Sequence, residues 1–240
     1  MQFVDGDCEI LPEWIVRARD FLHKHQDVGV ASGRLRERFP DRSIYNMLCD
    51  NEWNSQVGEA RYCGGIAMVR VDAFKRVGGF KSDLIAGEEP ELCVRLRASG
   101  WRIWRLDAEM ALHDAAMLRF GQWWRRAIRG GYAFAEGAAL HGAPPERHWV
   151  RESRSARLWG GFLPLTVVVA LLIWGVPGLF LVLIYPLQVV RLGLRGIRSP
   201  RENWWCAFFM VLGKFPEMIG QLRFVFNQGL GRVARIIEYK

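Results

Sequence analysis

Apolar and polar positions change period along this chain and divide it into two parts. Through roughly the first 150 residues, short apolar runs alternate with stretches at helical spacing, the pattern of an α/β domain. Phe3-Val4 reads as a short strand that ends at Asp5-Gly6-Asp7. Pro12 opens a helix in which Trp14, Ile15, Ala18, Phe21 and Leu22 recur at helical spacing. Val28–Ser32 is the next strand, and the stretch from Gly33 to Arg61 is expected to be mostly irregular because its periodicity is weak. Gly65–Val69 reads as a strand, followed by a short helix and a Gly78-Gly79 turn. Pro90–Ser99 is the clearest helix, with proline at its first position, Leu92 and Leu96 on one face, and Gly100 as its stop. Arg102–Leu106 returns as a strand towards His113, and a long helix with paired tryptophans follows around Gln122–Leu140.

After Arg157 the alternation stops. No charged residue occurs before Arg191, a run of roughly 33 positions where about 20 suffice for one membrane-spanning helix. Core helices rarely stay uncharged for so long, so the run predicts membrane insertion. Arg147, Arg151, Arg154 and Arg157 precede it, and Arg191, Arg195, Arg198 and Arg201 follow it. Two short helices turning at Val176-Pro177-Gly178 would keep both basic clusters on the cytoplasmic side. The segment from Trp204 to Phe226 carries Lys214, Glu217 and Arg223 and reads as an interfacial amphipathic helix. The expected division is an α/β domain over 1–145 and a membrane-associated region over 146–240. The latter holds an apolar hairpin at about 158–190 and the amphipathic helix at about 203–226.

Composition narrows the function class. With 50% hydrophobic and 24% charged residues, the chain is neither disordered nor collagen-like. Its net charge of +8 calls for an anionic partner such as a phosphate or a lipid headgroup. The arginines cluster beside the apolar run, as lipid-surface residues do, so no nucleic-acid partner is expected. Five scattered cysteines with no Cys-x-x-Cys imply neither a disulfide framework nor a zinc site.

Three places carry candidate chemistry. Asp5 and Asp7 flank a glycine at a strand end, where two carboxylates can hold a hard divalent cation while backbone approaches a phosphate. Taken alone, this is as easily an ordinary turn. A calcium loop is excluded, since its sixth and twelfth positions are Ile10 and Val16. Glu88, Glu89 and Glu91 sit about the start of a helix, where its dipole stabilises negative charge and a carboxylate can serve as general base. His113 ends a strand, a place where a histidine is more often structural than a ligand.

The order of these motifs resembles the family-2 glycosyltransferases of GT-A fold. Asp5-Gly6-Asp7, then Tyr62-Cys63-Gly64-Gly65 running to Gly78-Gly79-Phe80, then Gly87-Glu88-Glu89-Pro90-Glu91, then His113 follow that family's spacing over about residues 1–140. The resemblance implies an inverting transfer from a nucleotide-diphospho-sugar donor to a lipid-linked or polysaccharide acceptor. It implies a divalent cation, Mg2+ or Mn2+, held by Asp5, Asp7 and His113, with Asp7 as direct ligand. Gly64 and Gly65 would border sugar and acceptor, and Glu89, with Glu88 beside it, would occupy the position of the catalytic base. The family usually has Glu-Asp at that base, and one extra methylene moves the carboxylate by roughly 1 Å. Processive members often carry Gln-x-x-Arg-Trp. Gln122-Trp123-Trp124-Arg125-Arg126 keeps the glutamine and arginine without the final tryptophan, which makes Gln122, Trp123 and Arg125 acceptor-binding candidates or parts of an interfacial belt.

By the same likeness the enzyme belongs at the cell membrane with its catalytic part facing the cytoplasm. The base- and ribose-binding half of such a fold precedes the Asp-x-Asp motif, whereas Asp5 follows only four residues. The expected fold is therefore an incomplete, Rossmann-like GT-A domain followed by hydrophobic membrane helices. The alternative to an enzyme is a truncated, non-catalytic membrane scaffold derived from one.

Overall fold

The computed structural model describes residues 1–231. The described chain forms two compact units, one over Met1–Leu118 and one from Arg119 onwards. Residues 232–240 of the membrane-associated region expected over 146–240 lie outside the described residues.

The first unit is a mixed six-stranded sheet between helices. Its strands are β1 (Gln2–Phe3), β2 (Cys8–Ile10), β3 (Val28–Glu37), β4 (Gly58–Glu59), β5 (Ala67–Val69) and β6 (Arg102–His113). They run in the order β1-β5-β3-β6-β2, with β4 also on β6. β3 and β6 pair in parallel, and the other ladders are antiparallel. The helices of this unit are α1 (Trp14–Lys24), α2 (Ile44–Trp53), α3 (Val71–Arg76) and α4 (Glu88–Ala98).

Strand periodicity sorts the core into two layers. Met68 of β5 faces α1 and joins Trp14, Ala18, Leu22, Ile66 and Met110. Its neighbours Ala67 and Val69 face the other way and join Ala73 of α3 and Leu92, Cys93 and Leu96 of α4. Trp14 is fully buried, its indole nitrogen donating to Gln2 at 2.9 Å, so the ring fills the core without leaving a polar group unpaired. Gly33 of β3 is fixed by space: a Cβ there would meet the Ala108 carbonyl and the Trp14 ring, each at 2.7 Å.

Two expectations need correction. The stretch 33–61 is ordered: β3 continues to Glu37, α2 follows, and β4 closes the segment. Arg34-Leu35-Arg36-Glu37 is mostly charged, which masks a strand whose two guanidiniums pair with Asp50 of α2. The helix expected to start at Pro90 starts two residues earlier, after Gly87 at φ 85°. A proline fits anywhere in a first turn, because those backbone N–H groups have no intrahelical acceptor.

The second unit is helical: α5 (Phe120–His141), α6 (Val150–Arg157), α7 (Leu163–Trp174), α8 (Ile184–Leu194), α9 (Pro200–Leu212) and α10 (Lys214–Gly229). A π-helical turn over Leu158–Phe162 joins α6 to α7, and 3-10 turns over Val176–Leu183 lead into α8. α5 and α10 pack at the closest possible range. A Cβ on Gly131 would clash with the Glu217 carbonyl, and one on Gly220 with the Ile128 carbonyl. The amphipathic segment expected as one helix is two, α9 and α10, meeting at Gly213. Ser199 and Glu202 form a capping box at the start of α9.

The apolar run doubles back at Gly175, whose φ of 67° and ψ of −145° suit glycine alone. Gly178 then lies against the Ala170 backbone, and the Tyr185 hydroxyl donates to the Trp159 carbonyl at 2.9 Å. The two arms therefore lie side by side. Val150–Trp174 and Val176–Leu194 are each long and apolar enough to cross a membrane, and only 11% of either apolar window is buried.

Candidate active site

β1 and β2 lie at opposite edges of the strand order, and the Val4–Asp7 segment joins them. Within it the Cys8 N–H donates to the Asp5 carbonyl at 3.1 Å, closing a turn around Gly6-Asp7. The Asp5 carboxylate rests on Gly65, where a Cβ would come within 2.9 Å of Oδ2. Two motifs sixty residues apart in sequence thus touch, and glycine at 65 is what lets them.

Asp7 is brought to His113 by the sheet. β2 pairs with the end of β6 with Cys8 opposite His113. Asp7 Oδ1 consequently lies 3.0 Å from His113 Nε2, and the Asp114 N–H donates to the Asp7 carbonyl. Trp53 of α2 sets its ring edge-on to the imidazole at 4.8 Å. Cys8 shares this cluster, with its Sγ 3.9 Å from Asp7 Oδ1. Burial, then the charge of Asp5, pushes the Cys8 thiol up to about 12, so it stays neutral at physiological pH. A carboxylate and an imidazole at this spacing suit a divalent cation of the magnesium–manganese kind. Asp7 and His113 would hold it, and Asp5, outside that cluster, faces the glycine loop instead.

The start of the same loop meets Glu89 in the first turn of α4. Glu89 Oε1 accepts from the Cys63 N–H at 2.7 Å, from Cys63 Sγ at 3.0 Å and from Cys93 Sγ at 2.9 Å. Gly64, at φ 75°, adds a backbone hydrogen bond to the same carboxylate. Burial raises the Glu89 pKa above the ordinary 4.5, opposed by these hydrogen bonds. Glu88 is half-buried one residue earlier. Glu91 is 1% exposed and paired with Arg95 at 2.6 Å, and Arg95 in turn holds the Val77 and Gly79 carbonyls. That acid shapes the Gly78-Gly79 turn.

Sequence reasoning missed the groups that hold the loop after His113. Glu37 is buried at the end of β3, with Oε1 accepting from Phe39 N–H and Asn46 Nδ2 and Oε2 from Ala115 N–H. Asn46, fully buried on α2, accepts from Met117 N–H, and Ser43 Oγ donates to the Met117 carbonyl. Asp50 completes the set by accepting from Arg34, Arg36 and the Glu37 N–H. Ser43 also caps α2, the one sequence signal that was available.

Gln122, Trp123 and Arg125 belong to the second unit. Gln122 is spent on the helix end, its Oε1 accepting from Arg119 N–H at 2.9 Å. Trp123 is buried within the second unit, edge-to-face on Phe209 at 4.7 Å. The apolar stripe of α5 needs that ring inside, so only Arg125 of the three stands exposed.

Residues 46–119 match the family described as the N-terminal domain of galactosyltransferase. That span contains Asn46, the glycine loop, Glu89 and His113. The chain is also 30% identical over 107 residues to the succinoglycan biosynthesis protein ExoA of Rhizobium meliloti (strain 1021), a match covering 44% of this chain and 32% of that protein. Among solved structures it is similar to the mannosyltransferase PcManGT from Pyrobaculum calidifontis, in complex with GDP-Man and Mn2+, at a TM-score of 0.54 and 19% identity. That likeness covers 92% of this chain and 61% of that one. The fold is that of the GT-A glycosyltransferases. Within this GT-A domain, the aspartate pair, the glycine loop, the helix-start carboxylate and the histidine all lie in one unit.

Proposed function

We propose that this chain serves inverting transfer of a sugar from a nucleotide-diphospho-sugar to a lipid-linked or polysaccharide acceptor, in the synthesis of a cell-surface or extracellular glycan. One observation carries the reading: the Cys63–Gly65 loop touches two carboxylates, Asp5 at Gly65 and Glu89 at Cys63. Donor and acceptor would meet over that loop. Glu89 Oε1 is anchored by backbone and thiols, which leaves Oε2 to take the proton of the acceptor hydroxyl. The new carbon–oxygen bond forms as the sugar–phosphate bond breaks on the opposite face, and one such displacement inverts the anomeric centre. A bound divalent cation would neutralise the departing diphosphate. Asp7 and His113 supply its protein ligands, and Asp5 would orient the donor beside Gly65.

The relatives support donor class and metal. The solved neighbour carries GDP-Man and Mn2+, and the named curated relative is a succinoglycan biosynthesis protein. The membrane reading draws on the apolar hairpin: side chains such as Leu172, Phe180 and Leu187 are at least two-thirds exposed, and lipid would cover what water would not tolerate. The hairpin as a whole would then begin and end at the cytoplasmic face, beside the basic clusters. The decisive experiment is turnover of nucleotide-sugars by the membrane-embedded chain with and without Mn2+. Metal-dependent release of the nucleoside diphosphate that Glu89→Gln abolishes supports the reading. Donor binding without turnover under any acceptor would favour a non-catalytic scaffold.

A further inference from the structure

Cys63, Glu89 and Cys93 place one ligand atom each within 4.8 Å of one another. The loop supplies Cys63. Glu89 and Cys93 stand four residues apart on α4, so they project from the same helix face. Sequence spacing hid this set, because Cys63 and Cys93 are thirty residues apart and no Cys-x-x-Cys announces them.

The distances suit one particular kind of occupant. Two sulfurs bound to a tetrahedral zinc at about 2.3 Å lie about 3.8 Å apart. Cys63 Sγ and Cys93 Sγ are 3.7 Å apart. The carboxylate oxygen needs more room, since its 3.0 and 2.9 Å separations from the sulfurs would open to about 3.6 Å around such an ion. That is an opening of about 0.6–0.7 Å for a side chain on the first turn of a helix. Charge fits as well. In the metal-free protein both thiols direct their protons at Glu89 Oε1. Exchange of two thiol protons for one dication leaves the net charge of the buried cluster unchanged, so binding adds no uncompensated charge to the interior.

We propose that Cys63, Cys93 and Glu89 form a second metal site, selective for a thiophilic divalent cation such as zinc and separate from the Asp7–His113 pair. Binding forms two metal–sulfur bonds and one metal–oxygen bond, and the two thiol protons leave to solvent. Soft sulfur ligands favour zinc over magnesium or manganese, so the two sites sort the cations. The consequence for catalysis rests on the proposed function: a cation on Glu89 occupies the base, and zinc would act as a reversible inhibitor.

The test reads the site directly. The full chain in detergent micelles, kept reduced, is titrated with Co2+ and then with Zn2+. A near-ultraviolet sulfur-to-cobalt charge-transfer band is expected, with one cobalt and two thiolates per site, bleached by zinc. It should survive Asp7→Ala and Cys8→Ser, and each of Cys63→Ser and Cys93→Ser should weaken zinc binding on the order of 100-fold or more. X-ray absorption of the zinc-loaded unmutated protein should show two sulfur neighbours, a readout that does not depend on any variant folding. A zinc shell of nitrogen and oxygen alone, or a band that persists in the Cys63→Ser, Cys93→Ser double variant, would overturn the site. Zinc inhibition of turnover, lost in the serine variants, would extend it to catalysis. A two-sulfur shell in a chain that turns over no sugar would uphold the site and fault only the functional reading.

Discussion

Asp5 and Gly65 touch: a methyl group on Gly65 would sit 2.9 Å from Asp5 Oδ2. Gly65 has no positive φ, so backbone strain does not enter, and the only thing a larger residue must displace is the end of a flexible side chain. Gly65→Ala should therefore cost little stability, about 1 kcal/mol or less. It should nonetheless weaken nucleotide-sugar binding about tenfold by swinging the Asp5 carboxylate away. Calorimetric titration beside a thermal melt separates the two effects, and equal losses in both would argue against a positioning role for Asp5.

Glu89 predicts two pH dependences of opposite sign. As a base it must be ionised, so turnover in zinc-free buffer should fall as pH drops through a value above the ordinary 4.5. Its raised pKa means that the folded state keeps the proton after the unfolded state has lost it. That contribution to stability is fully present below 4.5 and is lost as pH rises through the folded value. Glu89→Gln should flatten this part of the stability curve, lower turnover about a thousandfold and leave donor binding intact. Turnover within a few fold of the unmutated chain would reassign the base to Glu88.

Asp7 and His113 should act as a pair on metal. Asp7→Ala and His113→Ala should each weaken Mn2+-dependent donor binding about 10- to 100-fold, and the double variant should lose little more than either alone. Fully additive losses would mean that the two side chains do not share an ion.

Asn46 holds Glu37, Phe39 and Met117 at once from a fully buried position. Asn46→Ala should destabilise the chain by about 2–4 kcal/mol, because it leaves buried partners unpaired. Hydrogen exchange should then speed up over residues 115–117 before other parts of the first unit. Protection unchanged there would show the loop to be held by other contacts.

The hairpin predicts matched accessibility. In a background without native thiols, Arg154→Cys and Arg195→Cys should label alike in intact cells, with Val176→Cys differing from both. Opposite labelling at 154 and 195 would exclude a hairpin whose two ends share one side.

The sequence already carried the helix–strand alternation, the apolar hairpin and the four motifs, because each is local: a period, a run or a short spacing. What it hid is long-range and polar. Glu37, Asn46 and Asp50 look like surface residues in a stretch with no period, and only the meeting of α2 with the end of β3 joins them. Cys8–Ile10 was passed over as a strand because three residues carry no measurable alternation, and its partner lies a hundred residues on. Trp123 shows the converse: a tryptophan beside arginines fits an interface or a core equally until a ring such as Phe209 is seen against it.

β6 is the last strand to be made and the partner of three others, β2, β3 and β4. A ribosome releasing the chain from its amino end therefore delivers β2 and β3 long before the strand that satisfies them. Val28 waits for Arg102, and Cys8 waits for His113. Until then β3 presents a long unpaired edge, and the turn carrying Asp7 has no wall to lean on. Sheet closure and assembly of the Asp7–His113 pair are thus a single late event in synthesis. The apolar hairpin lies beyond β6 in the chain, so the sheet can close before that apolar segment is made.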